Sequence, residues 1–216
     1  MQFDGIIGDL IAEKSLVLYI DLRSGSFRDW SGYGNHGVAS NGHLSRGGFQ
    51  ANTVAGKIVV ANSAELNLTE ATLVCFMEPW NEKTGWGSPL NFTEIITKTN
   101  GTLDFLFYIT PSNGNNRLYS TTSNSVFSTS LPDILGKQCF AASMKNGENP
   151  TLYLDGVYSK TGDAVFDIYN SSNDITLGNF VDARGCRNIV HAYAIVNRKL
   201  TSAEHFQLYS QLKSMG

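Results

Sequence analysis

Residues 151–161 have the sequence TLYLDGVYSKT, in which two short β-prone runs flank Asp155-Gly156. An Asp-Gly pair between two such runs is typical of a two-residue hairpin turn, because both turn positions need a positive φ angle. Residues 92–98 and 103–110 flank Asn100-Gly101 in the same way. The sequence therefore predicts antiparallel strands that are joined by tight turns.

Apolar runs of similar length lie on both sides of this hairpin, and each is bounded by turn-forming residues. They recur about every 8–15 residues with no helical periodicity between them. This pattern predicts an all-β antiparallel sandwich of two sheets and not a parallel α/β sheet. The other predicted strands are residues 16–22, 57–61, 71–80, 116–121, 137–145, 174–179 and 186–198.

Two segments carry helical signals. Thr201 and Glu204 form a T-x-x-E capping box before apolar residues at helical spacing, which predicts a short C-terminal helix. Residues 5–14 predict a weaker helix within an N-terminal arm (residues 1–15) that precedes the sandwich (residues 16–216). An apolar stripe of this length is marginal alone. We therefore expect an assembly contact with a neighbouring subunit through Ile6, Ile7, Leu10 and Ile11.

The composition of the 216-residue chain argues against several classes of partner. Charged residues make up 16%, the formal net charge is -3, and no basic stripe is present. Nucleic acids and anionic lipids therefore lack the electrostatic footprint that they need. No apolar run reaches the roughly 18 residues of a membrane span, so we expect no membrane insertion.

The cysteines and the N-terminus indicate a reducing compartment. Acidic residues stand where a secretory signal peptide has positive charge and an apolar run, so we expect an unsecreted start. Three widely spaced cysteines do not form a disulfide framework. We expect buried, reduced thiols at Cys75, Cys139 and Cys186.

Several motifs follow one another in an order known from one family. The loop DWSGYGNHG (29–37), the strand GKQCFAA (136–142), the hairpin LYLDGV (152–157) and the helix entry NRKLTSAE (197–204) each match a family motif. Together they resemble the concanavalin A-like lectin/glucanase domains of the laminin-G type, over roughly residues 16–212. The resemblance implies a jelly-roll sandwich. It does not decide function, because this fold hosts lectins, adhesion modules, enzymes and structural proteins.

The Gly-rich loop is the candidate site of a structural Ca²⁺ ion, the one cofactor that the sequence indicates. Asp29 and Asn35 offer oxygen ligands of the kind that calcium prefers, although the ion needs about six to eight of them. The alternative is that both side chains bond the loop's own backbone, as Asx turns do. Family members often have an acidic pair before the N-R-x-L motif, and here His191 and Ala192 stand in its place.

Aromatic residues are the candidate ligand-binding residues, because sugar rings stack on exposed tryptophan and tyrosine faces. Trp80 and Trp86 bracket a polar loop, and Tyr33 lies in the Gly-rich loop. We take Trp86 as the principal candidate. The alternative is that such aromatic residues pack into the core below their loops.

No pattern in the sequence predicts catalysis, so we expect that the protein is not an enzyme. Glycosidases need two carboxylates at a defined separation, which a strand of this fold would present in an alternating acidic run. No such run occurs, and neither does a G-x-S-x-G motif. The four histidines lack the spacing of metal ligands.

Three functions from different classes remain. The features above favour a structural protein of a virion surface, such as a phage capsid decoration or tail protein. It would be made in the host cytoplasm, contact other virion subunits and display a lectin-like sandwich toward host glycans. The alternative is a carbohydrate-binding lectin module of a secreted or cell-surface protein. The third is a glycoside hydrolase of the same fold, for which the paired carboxylates are not found.

Overall fold

The computed structural model describes residues 3–45, 47–51, 56–78, 93–99, 103–112, 115–121, 126–130, 136–162, 165, 167–178 and 189–215. Its helices are α1 (Gly5–Ala12) and α2 (Ser202–Ser214), with two short 3-10 turns at Leu22–Ser24 and Ala64–Leu66. Its strands are β1 (Leu16–Asp21), β2 (Gly37–Ser40), β3 (Gly42–Ser45), β4 (Gly48–Ala51), β5 (Lys57–Val60), β6 (Glu70–Glu78), β7 (Thr93–Thr99), β8 (Leu103–Ser112), β9 (Asn115–Thr121), β10 (Val126–Ser130), β11 (Gln138–Lys145), β12 (Thr151–Leu154), β13 (Val157–Thr161), β14 (Ile175–Gly178) and β15 (Ile189–Val196).

In the described ranges, these strands form two antiparallel sheets. The first, which we call the central sheet, has the order β13-β12-β11-β6-β15-β4-β3, and β1 pairs with β15 beside β4. The second, the outer sheet, has the order β10-β9-β8-β7-β14-β5-β2. The predicted all-β sandwich is confirmed. The Asp155-Gly156 turn joins β12 to β13 as predicted, and both residues have positive φ angles.

The central sheet is buried on both faces. Leu73, Cys75 and Met77 of β6 face the core between the sheets, whereas Val74 and Phe76 face a second core on the opposite side. All six residues of β1 are buried for the same reason. A strand that is covered on both faces has a continuous apolar sequence instead of an alternating one.

A layer of two helices covers the second face of the central sheet. Ile7 and Leu10 of α1 belong to the same buried cluster as Leu208 and Leu212 of α2. The predicted capping box begins α2, since the Thr201 side chain accepts from the Glu204 amide while the Glu204 carboxylate accepts from the Thr201 amide. Neither helix is long and apolar enough to span a membrane, and the described residues contain no other candidate span.

Gln211 joins the two helices by hydrogen bonds to the start of α1. Its side-chain oxygen accepts from the Ile7 amide at 3.1 Å, and its nitrogen donates to the Asp4 carbonyl at 2.6 Å. The first amides of a helix have no acceptor within the helix and otherwise need water or a capping side chain. The N-terminal arm is therefore attached to the sandwich by both apolar packing and hydrogen bonds.

The strand register brings several loops together at one end of the sandwich. Leu16 pairs with Val196, Val196 with Thr72, and Ile175 with both Val60 and Lys98. The segments that precede or follow these residues are therefore neighbours. We call this surface the loop end, and it consists of residues 13–15, 31–35, 61–69, 146–150, 167–174 and 197–201.

Candidate functional site

The Asp29 carboxylate organises the Gly-rich loop. One oxygen accepts from the amides of Tyr19 and Ser31, both at 2.9 Å. The other accepts from the Ser31 hydroxyl at 2.7 Å and the Asn35 amide at 2.9 Å. Asp29 is buried, and hydrogen bonds to a buried ionised group are among the stronger ones in proteins. This carboxylate therefore ties the loop to β1.

The loop takes the place of a strand along the free edge of β1. The Trp30 amide donates to the Tyr19 carbonyl at 2.7 Å, and the Asn35 side chain donates to the Val17 carbonyl at 2.8 Å. Uncovered strand edges invite pairing with other chains. Asp29 thus bonds the backbone of its own loop, which is the alternative that the sequence left open, and also that of β1. The Asn35 side chain instead bonds the backbone of β1.

A calcium ion at this loop would compete with those contacts. Both Asp29 oxygens already accept two hydrogen bonds each, and the Asn35 amide nitrogen is bound to Val17. Within the described ranges, no group of three or more His, Cys, Asp or Glu side chains could hold a metal ion. The calcium site stays a prediction.

His191, for which the resemblance suggested an acidic residue, is a buried side chain of β15. Its Nδ1 is hydrogen-bonded to the Gly47 carbonyl, and its ring lies against Phe76 with 5.4 Å between the centroids. Burial lowers the pKa of His191 below its ordinary value. The neutral imidazole is therefore favoured, as expected for a histidine that packs inside a sandwich.

Tyr33 is the predicted ligand-binding residue that the structure describes. Its hydroxyl donates to the Lys14 carbonyl at 3.0 Å, which fixes the ring at the loop end, and 36% of the residue is exposed. Gly32 and Gly34, on either side, have open space where a Cβ would lie. Trp80 and Trp86 lie outside the described residues, so their predicted role stays a prediction.

A second exposed tyrosine at the loop end was missed in the sequence. Tyr169 is 39% exposed, and Asn170 beside it exchanges two hydrogen bonds with the backbone of Leu68. Asp174 accepts from the Asn62 amide at 3.0 Å. The available signal was the polar run that begins at Asn170, directly after this tyrosine. Tyr33 and Tyr169 therefore lie on one surface with hydrogen-bonding side chains around them.

A buried serine–histidine pair lies under α2. The Ser143 hydroxyl is 2.9 Å from His205 Nε2 and 2.7 Å from the Thr72 hydroxyl, and Thr72 in turn accepts from the Leu200 amide. The His205 ring stacks on Tyr153 with 3.6 Å between the centroids. All of these side chains are buried, so the pair is closed to a substrate and instead fixes α2 on the central sheet.

The residues of the predicted assembly contact pack against other parts of the same chain. Ile6, Ile7 and Leu10 are buried in the core below the helices, and the partly buried Ile11 packs against the same cluster. The apolar stripe of α1 therefore has a partner within its own chain, which differs from the contact with a neighbouring subunit that the sequence predicted.

Comparisons with known proteins support the fold. No protein-family model and no curated protein matches the sequence. Among solved structures, domain 4 of an extracellular arabinanase from Geobacillus stearothermophilus, in complex with arabinotriose, is similar with a TM-score of 0.64 and 14% identity. That match covers 90% of this chain and 98% of the other.

Two larger proteins contain a similar domain. The ligand-binding domain of botulinum neurotoxin serotype D, in complex with N-acetylneuraminic acid, has a TM-score of 0.69 and 14% identity over 94% of this chain and 52% of that one. A Trypanosoma rangeli sialidase has a TM-score of 0.67 and 14% identity over 94% of this chain and 33% of its own. The chain spans about half the length of the neurotoxin chains that it matches. At such low identity the likeness shows the fold alone, an antiparallel β-sandwich.

Proposed function

We propose that this chain is a non-catalytic carbohydrate-binding module whose ligand lies on the loop end. The observation that carries the proposal is the pair of exposed tyrosines, Tyr33 and Tyr169, among hydrogen-bonding groups on one surface. A flat ring supplies apolar area for a sugar face at a small entropic cost, while polar neighbours bond its hydroxyls. Two proteins of similar fold, the arabinanase domain in complex with arabinotriose and the neurotoxin domain in complex with N-acetylneuraminic acid, support the proposal.

The loop end has both signs of charge at its border, and the charges are mostly paired. Arg198 contacts Glu13 at 3.0 Å and Glu204 at 2.6 Å, and Lys199 contacts Glu148 at 3.1 Å. Paired surface charges leave no strong net field that would select one sign of ligand. We therefore propose that stacking and neutral hydrogen bonds carry the affinity.

The test is a glycan array on the purified chain, followed by calorimetric titration with the best-bound oligosaccharide. We expect Tyr33→Ala and Tyr169→Ala each to weaken binding about three- to tenfold, since an aromatic contact contributes about 0.5–1.5 kcal/mol. Tyr158→Ala is the matched control, because Tyr158 is an exposed tyrosine on β13, outside the loop end. No binding at millimolar glycan, or equal effects of all three variants, would refute the proposal.

Three finer proposals rest on the sequence. Trp86 and Trp80 would extend the sugar-binding surface, and a Trp86→Ala variant in the same titration tests this. A structural Ca²⁺ ion at Asp29 and Asn35 is tested by repeating the titration and a thermal melt with chelator and with added calcium. Unchanged affinity and melting temperature would exclude a calcium requirement. The laminin-G type remains our proposal for the family.

Display on a virion surface is the second candidate. Cys139 favours it, because it is a buried free thiol, as in proteins that fold in a reducing cytoplasm. Cys75 and Cys139 belong to adjacent strands but to different cores, so their side chains lie on opposite faces of the central sheet. Electron microscopy of the native source tests this placement. A repeated lattice that contains the chain would support it, whereas a free monomer or a cell-surface location would refute it.

A further inference from the structure

The two helices leave an open groove of about 650 Å³ on their outward side, away from the loop end. Residues of α1 and its N-cap line one wall, and residues of α2 line the other. The groove is distinct from the core below, where Ile7 and Leu10 meet Leu208 and Leu212.

An exposed aromatic ring lies in this groove. Phe206 lines it and is 56% exposed, although His205 before it and Leu208 two positions after it are buried. Val157 of β13, which follows Gly156 in the chain, is 61% exposed. Gly156 packs against the Phe206 backbone so closely that a Cβ there would lie 2.7 Å from its Cα. The hairpin therefore fixes the position of the Phe206 backbone. Exposed apolar surface of this kind commonly marks an interaction site.

Two carboxylates border the ring. Asp4 is the N-cap residue of α1, yet its side chain makes no capping hydrogen bond, and Asp9 lines the same wall five residues further on. Within the described residues, neither carboxylate has a hydrogen bond or an ion pair. The opposite wall offers the neutral polar side chains of Gln207 and Ser210. The groove thus combines an apolar centre with unpaired negative charge.

We propose that this groove binds a segment of a partner protein in which an arginine or lysine neighbours a large apolar residue. The apolar side chain would pack on Phe206 and the cation would pair with Asp4 and Asp9. Buried aromatic contacts with charged residues at the rim are the usual anatomy of a small protein interface. The proposal is independent of glycan binding, which we place on the loop end.

The test is a titration of the full chain, labelled with ¹⁵N, with three synthetic peptides. The first repeats Arg-Leu between Gly-Ser spacers, the second has Glu in place of Arg, and the third has Ala in place of Leu. We expect the Arg-Leu peptide to shift the amide signals of Gly5, Asp9 and Phe206. We expect the other two peptides to bind at least about tenfold more weakly. Addition of salt should weaken the Arg-Leu complex, since its ion pairs are exposed.

Matched variants separate the two contributions. Phe206→Ala and the double variant Asp4→Asn/Asp9→Asn should each weaken binding of the Arg-Leu peptide at least about tenfold. Val38→Ala on β2 and Glu65→Gln, both remote from the groove, should leave it unchanged. Shifts elsewhere on the surface, equal binding of the Glu peptide, or no binding at millimolar peptide would overturn the proposal. Sedimentation that shows self-association, lost on Phe206→Ala, would also overturn it, because the occupant would then be a second copy of the chain.

Discussion

At the scale of single residues, one buried carboxylate determines the shape of the Gly-rich loop. Asp29 receives two amides and a hydroxyl from its own loop and a third amide from β1. Each donor would be left without a partner inside the protein if the carboxylate were lost. Buried donors without partners are among the few causes of large losses in stability from one substitution.

We predict that Asp29→Asn lowers the free energy of unfolding by about 2–3 kcal/mol, because the new NH₂ group faces donors instead of accepting from them. Urea denaturation monitored by circular dichroism measures the change. Asp9→Asn is the control, since it removes an exposed carboxylate on α1, and it should cost less than about 0.5 kcal/mol. A loss below about 1 kcal/mol for Asp29→Asn would show that the loop does not depend on its carboxylate.

Residue identity alone did not predict every buried polar group. The motif DWSGYGN was recognised in the sequence, and hydrogen bonding of Asp29 to the loop's own backbone was one of two stated outcomes. The bond from the Asn35 side chain to β1 was not predicted. Lys98, in contrast, was treated only as part of a strand, whereas it is fully buried and donates to the Leu66 carbonyl at 3.0 Å and the Asn67 side chain at 3.1 Å. Its acceptors lie 31 and 32 residues away along the chain. A pattern of neighbouring residues in the sequence does not predict a contact over such a separation.

At the scale of elements, local signals succeeded where they were strong. The Asp155-Gly156 turn and the Thr201–Glu204 capping box were both predicted correctly, because each depends on residues a few positions apart. The strands β2, β3 and β4 were missed. Each has only four residues and begins with a glycine, and the pairing of β2 and β4 depends on the distant partners β5 and β15.

The contact between the β12–β13 hairpin and α2 requires a glycine. At Gly156, a methyl group would meet the Phe206 backbone at 2.7 Å and the His205 carbonyl at 2.9 Å, and the φ angle is +75°. At Gly147, the φ angle is +78° but nothing lies within 4 Å of the same position. The two glycines therefore differ in steric contact and share their backbone conformation.

We predict that Gly147→Ala costs about 1 kcal/mol from backbone strain alone. Gly156→Ala should cost at least about 2 kcal/mol more, because α2 must shift to admit the methyl group. Thermal and urea unfolding of both variants measure the difference. Equal losses would show that the hairpin does not limit the position of α2.

His205 makes the attachment of α2 sensitive to acid. Burial lowers the pKa of His205 to about 3, whereas the unfolded chain has the ordinary value of 6.5. The unfolded state therefore binds a proton that the folded state excludes between these values. The free energy of unfolding is therefore highest above pH 6.5. It decreases as the pH falls below this value, by up to about 1.4 kcal/mol per pH unit.

We predict that His205→Gln flattens the decline in unfolding free energy between pH 7 and 5, while Gln keeps a hydrogen bond to Ser143. Urea denaturation at several pH values measures the slope. Glu204 does not affect the slope in this range. Its pKa is about 2 in the folded chain and 4.5 ordinarily, so its contribution to the free energy of unfolding decreases only as the pH falls below about 4.5. His191 also has a lowered pKa and stays in both proteins, so the difference between the slopes reports His205. Parallel slopes would contradict the prediction.

At the scale of the whole molecule, the sandwich class followed from the sequence but the third layer did not. The apolar runs of β1, β6 and β15 were identified as strands, yet a continuous run does not reveal what covers its second face. The helix at residues 5–14 was predicted as an arm for another subunit, whereas it closes the chain's own second core. Short amphipathic helices take their stability from whatever apolar face is available, and here that face is in the same chain.

This packing predicts that the N-terminal arm unfolds together with the sandwich. Leu10 is fully buried below the helices, so Leu10→Ala should lower the free energy of unfolding by about 3 kcal/mol, like a substitution between the sheets. Ile11→Ala is the control, because Ile11 is only partly buried on the same helix and should cost less than about half as much. Urea unfolding followed by circular dichroism and by amide exchange of β6 should give one shared transition. If Leu10→Ala left the exchange of β6 unchanged while α1 frayed, the arm would be an independent element, free to serve a neighbouring subunit.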